Sequence, residues 1–189
     1  MSSSFITNKD KFLSDIINGI LPKTDAVDFL VGYFYYSGYV QLSENLKSKH
    51  IRILVGLDIE IQISKHVCEV ENFRQKLLSR GVLKEQYYSE FVKAFNDTDF
   101  LDTAEKIEQF KMFYAKILDG TLEIRKTLDP CHSKMYLFVY NESMNEGGEL
   151  PGVMITGSSN LSYQGMQGRL ELNARFNDKA DYDEGHEIF

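Results

Sequence analysis

An α/β domain is the fold class that this sequence predicts. Three observations carry it: apolar residues at helical spacing alternate with short continuous apolar runs, one such stretch reads as a βαβ unit, and β-rich runs bounded by turn residues dominate the last third.

The elements follow in order. Phe12, Ile16, Ile17 and Ile20 recur at helical spacing behind Asn8, an expected N-cap, and Pro22 ends that helix. Ala26 to Phe34 is an apolar run of the kind buried on both faces, Tyr39 to Lys47 reads as a short helix, and Ile51 to Leu57 as a second strand; together they form the βαβ unit. From Ile61 to Arg80 apolar residues fall at Ile63, Val67, Val70, Phe73 and Leu77, with Gly81 as C-cap. Helices about Leu83 to Phe95 and Phe100 to Leu118 follow, split by Asn96-Asp97-Thr98-Asp99, so that 61–118 reads as a helical insertion. Strands are then expected at Thr121 to Lys126, His132 to Tyr140, Gly152 to Thr156 and Leu170 to Phe176. Glu142 to Pro151 reads as a hairpin loop, and the Gly165 to Gly168 region as room for one helical turn.

Composition bounds the function classes. A chain of 189 residues suits one domain with one sizeable core. Two cysteines make no disulfide framework, which fits a reducing cytosol, and Cys131 lacks the CxxC partner or nearby second histidine that a zinc set needs. The first ten residues have neither the basic nor the apolar region of a signal peptide, and no window is apolar enough to span a bilayer, so a cytoplasmic location without membrane contact is expected. A net charge of -7 argues against binding phosphate backbones, but the charge is unevenly placed. Asp178 to Glu187 carries five acidic residues against Lys179, whereas the first eighty residues hold ten Lys or Arg against nine Asp or Glu. A local basic groove is compatible with that distribution, with Lys47, Lys49, Arg52, Arg125, Lys126 and Arg169 as candidates. Tyr33-Phe34-Tyr35-Tyr36 is either a base-stacking platform or, as such clusters more often are, core.

Chemistry concentrates in three late segments. His132 and Lys134 are two apart in a β-rich run, so they share a face: the imidazole can attack or move a proton, and the ammonium can neutralise a phosphate oxygen. Ser158 and Asn160 repeat the spacing in Gly157-Ser158-Ser159-Asn160, where Gly157 would let the backbone approach a ligand. Glu171 lies in a run whose apolar face is Leu170, Leu172, Ala174 and Phe176, with Glu171, Asn173 and Arg175 opposite. Each piece alone is ordinary, and their order is what carries the signal.

The pattern His-x-Lys, a strand, Gly-Ser-x-Asn, and an acid eleven positions past the Asn resembles the active-site signature of the phospholipase D superfamily, particularly its nuclease branch. That branch includes a small bacterial endonuclease, a metal-independent restriction endonuclease and the nuclease-like domains at the N-terminus of many bacterial helicases. The resemblance is densest from about residue 125 to residue 177. It implies a phospholipase D-like three-layer sandwich with a mixed, largely parallel central sheet flanked by helices. It makes His132 the catalytic nucleophile, Lys134, Ser158 and Asn160 phosphate binders, and Glu171 the group that orients the imidazole. One position departs from the fullest motif: Val139 stands where an Asp would follow the Lys by five. This distances the chain from lipid-type members.

Superfamily members with one His-x-Lys place two copies at a twofold interface, so the resemblance implies a homodimer acting on nucleic acid, with no metal or other cofactor. The expectation is a metal-independent DNA phosphodiesterase working through a phosphohistidine. It would occupy residues 1–177, with 178–189 as an acidic tail starting a linker to further domains such as a fused helicase. The alternatives are a non-catalytic dimerisation or DNA-binding module of the same fold, and a diesterase acting on a phospholipid.

Overall fold

The computed structural model of the protein describes residues 5–59 and 103–189. The helices expected at Ile61 to Arg80 and Leu83 to Phe95 lie outside the described residues. In chain order the elements are β1 (Phe5–Ile6), α1 (Leu13–Ile20), a 3-10 turn (Leu21–Lys23), β2 (Thr24–Phe34), α2 (Tyr36–Val40), α3 (Ser43–Leu46), β3 (His50–Ile59), α4 (Ala104–Asp119), β4 (Leu122–Lys126), β5 (Met135–Tyr140), β6 (Gly152–Gly157), a single π-helical turn (Gln164–Gly168), β7 (Asn173–Phe176) and α5 (Lys179–Ile188).

Seven strands form one mixed sheet in the order β1-β7-β6-β5-β2-β3-β4. The mixed sheet and its flanking helices match the expected α/β architecture. The balance of strand senses differs: among the described strands the parallel ladders are β2-β3 and β3-β4, and β5, β6, β7 and β1 pair antiparallel. The physical reason is the connection. β5 and β6 are joined by the expected hairpin, which forces opposite senses, whereas β2 and β3 are linked through α2 and α3.

Alternation on β2 sends Val27, Phe29 and Val31 to one face, where Phe29 meets Tyr136 and Phe138 edge to face at 5.2 and 5.9 Å. Tyr36 and Tyr39 of α2 and Phe110 and Phe113 of α4 close this core, with Tyr39 and Phe113 rings 4.8 Å apart. Burying each such ring contributes about 2–3 kcal/mol. Residues of opposite parity, Leu30, Met135 and Leu137, pack on the other face under Tyr182 of α5. Helices thus cover both faces, which gives three layers.

Several boundaries differ from the sequence reading. Phe12, not Asn8, occupies the N-cap position of α1; Asn8, with φ at 56°, reaches back so that its Oδ1 accepts the Leu13 N–H at 2.8 Å. The helix expected from Tyr39 to Lys47 is two short ones, α2 and α3. The expected helix ending at Leu118 is α4, capped by the Thr103 hydroxyl and stopped at Gly120, whose φ of 82° suits glycine. Residues 178–189, expected to be an acidic tail, form α5. Asp178 caps it by accepting the Asp181 N–H, and Tyr182 buries against the sheet. Arg52 anchors its end: the guanidinium lies 4.9 Å from the Phe189 ring centroid while pairing with buried Asp28.

Candidate active site

The site forms beyond the end of β2 that carries Gly32. The β2–β3 register shifts between Val31 and Tyr33, and Gly32 sits at that irregularity. A β-carbon at Gly32 would lie 2.9 Å from His132 Cδ2, 3.3 Å from Asn160 Oδ1 and 3.4 Å from Lys134 Nζ. Three of the five residues picked from sequence therefore converge over one glycine about a hundred positions upstream. Glycine is needed there because the three side chains fill the space a methyl would take.

His132 and Lys134 precede β5, which begins at Met135 rather than at His132 as expected. Cys131 N–H donates to Gly56 O at 3.1 Å and Thr127 N–H to Val55 O at 3.1 Å, so this segment is pinned along β3. His132 is exposed, with its ring edge-on to Tyr33 at 6.1 Å between centroids. Lys134 is 4% exposed, and its ammonium donates to the His132 carbonyl. Burial lowers the Lys134 pKa from its ordinary value, against the opposing pull of Glu171 and Cys131. A hydrogen bond from the Ser133 side chain, a second from its backbone and the nearby Lys134 charge hold Cys131 below the usual thiol value, against the opposing effect of burial. Cys131 is half-buried, as a small packed thiol would be.

Asn160 is oriented by the backbone. Tyr33 N–H donates to Asn160 Oδ1 at 2.9 Å, which fixes the side-chain amide over Gly32. The turn before it is held by groups the sequence did not single out. Tyr136 hydroxyl donates to Ser159 O at 2.8 Å, and buried Asn173 donates to Ser159 Oγ at 2.9 Å while accepting the Ser159 N–H at 3.3 Å. Burial and the charge of Glu171 raise the Tyr136 pKa far out of reach, so it stays a donor.

Ser158 and Glu171 face each other. The Ser158 hydroxyl donates to Glu171 Oε2 and accepts the Leu172 N–H at 3.0 Å. Among the described residues this hydroxyl is what Glu171 holds, in place of the expected His132 imidazole. The strand faces are also inverted: β7 begins at Asn173, which points inward, while Leu170 and Leu172 are 75% and 58% exposed. With this parity Asn173 faces inward, where its amide bonds both the hydroxyl and the N–H of Ser159. Gly157 serves the same join: a β-carbon there would meet Leu172 O at 2.3 Å, so it admits neighbouring backbone rather than ligand.

Five of the six basic candidates are engaged: Lys47 with Glu44, Arg52 with Asp28, Arg125 with Glu123, Lys126 with Asp58, and Lys49 with the Thr24 carbonyl. Arg169 is exposed and lines a cavity of about 500 Å³ next to Asn160 and Glu171, together with Tyr33, Tyr35 and Tyr163. Among the described residues no group of three His, Cys, Asp or Glu is placed to hold a metal, and no helix is long and apolar enough to cross a membrane.

No protein-family model and no curated protein sequence matches the chain. Solved structures do. A polyphosphate kinase from Porphyromonas gingivalis is similar over 98% of this chain and 22% of its own, at 11% identity and a TM-score of 0.51. A phospholipase D family member, Nuc from Salmonella typhimurium, is similar over 97% of this chain and 86% of its own, at 8% identity and a TM-score of 0.46. The likeness to the kinase, of which this chain spans about a fifth, shows a shared fold for this chain and nothing of its chemistry.

Proposed function

We propose that this domain is a metal-independent phosphodiesterase acting on DNA, with two copies sharing one active site. The convergence of His132, Lys134 and Asn160 over Gly32 carries the reading. It gathers a nucleophile, a cation and an amide around one point, positioned before substrate arrives.

In the first step a neutral His132 nitrogen attacks phosphorus, and the bond to the leaving oxygen breaks. That oxygen takes its proton from His132 of a second copy. Lys134 and the Asn160 amide neutralise the non-bridging oxygens. In the second step water attacks the phosphohistidine and passes its proton to the second imidazole, restoring both. One chain holds one His-x-Lys, hence the second copy. Exposed Leu128, Leu170 and Leu172 lie on the segments that carry His132 and Glu171, and an apolar rim there suits burial against a twofold mate. A module of this size and chemistry fits within a helicase or restriction system.

The test is cleavage of labelled single- and double-stranded DNA in excess chelator, which is expected to persist and to vanish in His132→Ala. Cleavage that stops with chelator and returns with magnesium would overturn the metal-independent mechanism. The Ser158–Glu171 pairing favours a second reading, a non-catalytic dimerisation or DNA-binding module in which the imidazole lacks its carboxylate. Silence on both DNA and bis-nitrophenyl phosphate would select it.

A further inference from the structure

Beside the convergence point lies a space that phosphate chemistry does not use. The cavity of about 500 Å³ begins at Tyr33 and Asn160, beside His132, and runs out to Tyr35, Tyr163 and Arg169. Its volume falls in the range of about 300–1,000 Å³ typical of small-ligand sites. The tyrosine run resolves by alternation: Phe34 and Tyr36 are core, while Tyr33 is half-buried and Tyr35 is 42% exposed. Tyr163, 46% exposed, comes from the far wall.

Both tyrosine segments are tied to the fold through their backbone. Tyr35 N–H donates to Leu161 O at 2.9 Å, and Tyr163 N–H to Ser37 Oγ at 3.3 Å, tying the end of β2 to the 160–163 segment. Asn8 Nδ2 donates to Gly165 O at 2.9 Å and to Arg169 O at 3.1 Å, fixing the turn that presents Arg169. Exposed rings on fixed backbone lose little entropy when they stack on a ligand.

The lining selects the ligand class. Among the described residues it holds no Leu, Ile, Val or Met, so an acyl chain would find no aliphatic wall. Aromatic faces beside a guanidinium, with Ser and amide groups between and the one carboxylate, Glu171, held by the Ser158 hydroxyl, suit a flat heteroaromatic ring attached to a phosphate. Electrostatics agree: the chain carries -7 overall, and most of its basic candidates are already paired, so backbone attraction is weak and affinity must come from ring contacts.

Building on the phosphodiesterase reading, we infer that this cavity is a base-stacking subsite that takes an unpaired nucleotide flanking the scissile phosphate, making single-stranded nucleic acid the preferred substrate. Duplex bases, stacked on one another, cannot offer their faces to Tyr35 and Tyr163.

Binding tests this separately from catalysis. Full-length His132→Ala protein is titrated with a fluorescein-labelled oligothymidylate, with the same backbone carrying abasic sites, and with a duplex. The expected order is oligothymidylate tightest, with Tyr35→Ala and Tyr163→Ala each weakening it about tenfold, as loss of one base–aromatic stack does. The same substitutions leave binding of the abasic strand unchanged, while Arg169→Gln weakens both strands alike. Equal affinity for the base-bearing and abasic strands, duplex bound more tightly than single strand, or no response to either tyrosine substitution would each overturn the inference. Tyrosine-dependent binding by a protein that cleaves no diester would uphold the subsite and overturn the enzymatic reading instead.

Discussion

The two halves of the site are built differently. On one side Lys134 is buried, Asn160 is oriented by the Tyr33 amide, and both reach the space over Gly32; every group is fixed by backbone from β2, the β5 approach or the Ser159 turn. On the other, Ser158 and Glu171 satisfy each other on an exposed edge flanked by Leu170 and Leu172. The first half is held by contacts within one chain and, on the proposed reading, meets the anion. The second has spent its hydrogen bonds internally and presents apolar surface. Preorganised groups contribute to a transition state because they need no rearrangement, so catalysis should be concentrated in the buried half, while the exposed half tunes it and meets a second copy.

The largest effect is expected from the buried cation. Lys134→Ala should lower kcat about 10²–10³-fold, the usual loss for one preorganised charge donor, with little change in KM. Because burial lowers the Lys134 pKa, the alkaline limb of the rate profile should fall below the ordinary lysine value, and Lys134→Arg should move it upward. The folded-state value lies below the unfolded one, so the charged form is disfavoured by folding; stability should rise as pH climbs from the folded-state pKa toward the unfolded value. A limb that ignores Lys134→Arg would detach the lysine from the rate. Next is Gly32→Ala. Its methyl would stand 2.9 Å from the imidazole and force His132 aside, and a displacement approaching 1 Å costs about 10²-fold. An unchanged melting temperature with lost activity would localise the damage to the site.

How much of this was legible in the sequence follows the same division. His132 and Lys134 were readable from their spacing, whereas Asn160, which the same spacing paired with Ser158, parts from it: Ser158 turns to Glu171 and Asn160 to Gly32. Gly32 was not, since it meets them only through the β2–β5 pairing, although an isolated glycine inside the apolar run Phe29 to Phe34 is a signal of close approach. The α/β class followed from alternation, but the sheet's mainly antiparallel half did not, because the pairings of β5 with β2 and of β1 with β7 join segments far apart in sequence. The run from Leu170 to Phe176 misled for a definite reason. Hydropathy assigned the leucines inward, whereas Asn173 takes the inward position and bonds Ser159. Residues 178–189 read as a tail because acidic charge dominates them, whereas Tyr182 docks a helix capped by Asp178 onto the sheet.

The exposed half should respond more gently. Glu171→Gln keeps a hydrogen-bond acceptor for Ser158 and removes one charge from the neighbourhood of Lys134, so a loss of about tenfold is expected, with the Lys134-dependent limb shifting to lower pH. A loss as large as that of Lys134→Ala would mean that Glu171 serves the imidazole directly once two copies meet, and the contrast between the halves would collapse.

The smallest effect is expected at the joint between them. Tyr136→Phe removes the hydroxyl that donates to the Ser159 carbonyl at 2.8 Å and leaves the aromatic packing with Phe29 intact. The stranded carbonyl should cost about 1–2 kcal/mol in chemical denaturation. Asn160 follows Ser159 directly, yet its amide is held independently by the Tyr33 N–H, so kcat should fall no more than about threefold if these two supports are separate. A fall as steep as that of Gly32→Ala, without further loss of stability, would show that the buried half is held from the turn rather than from β2.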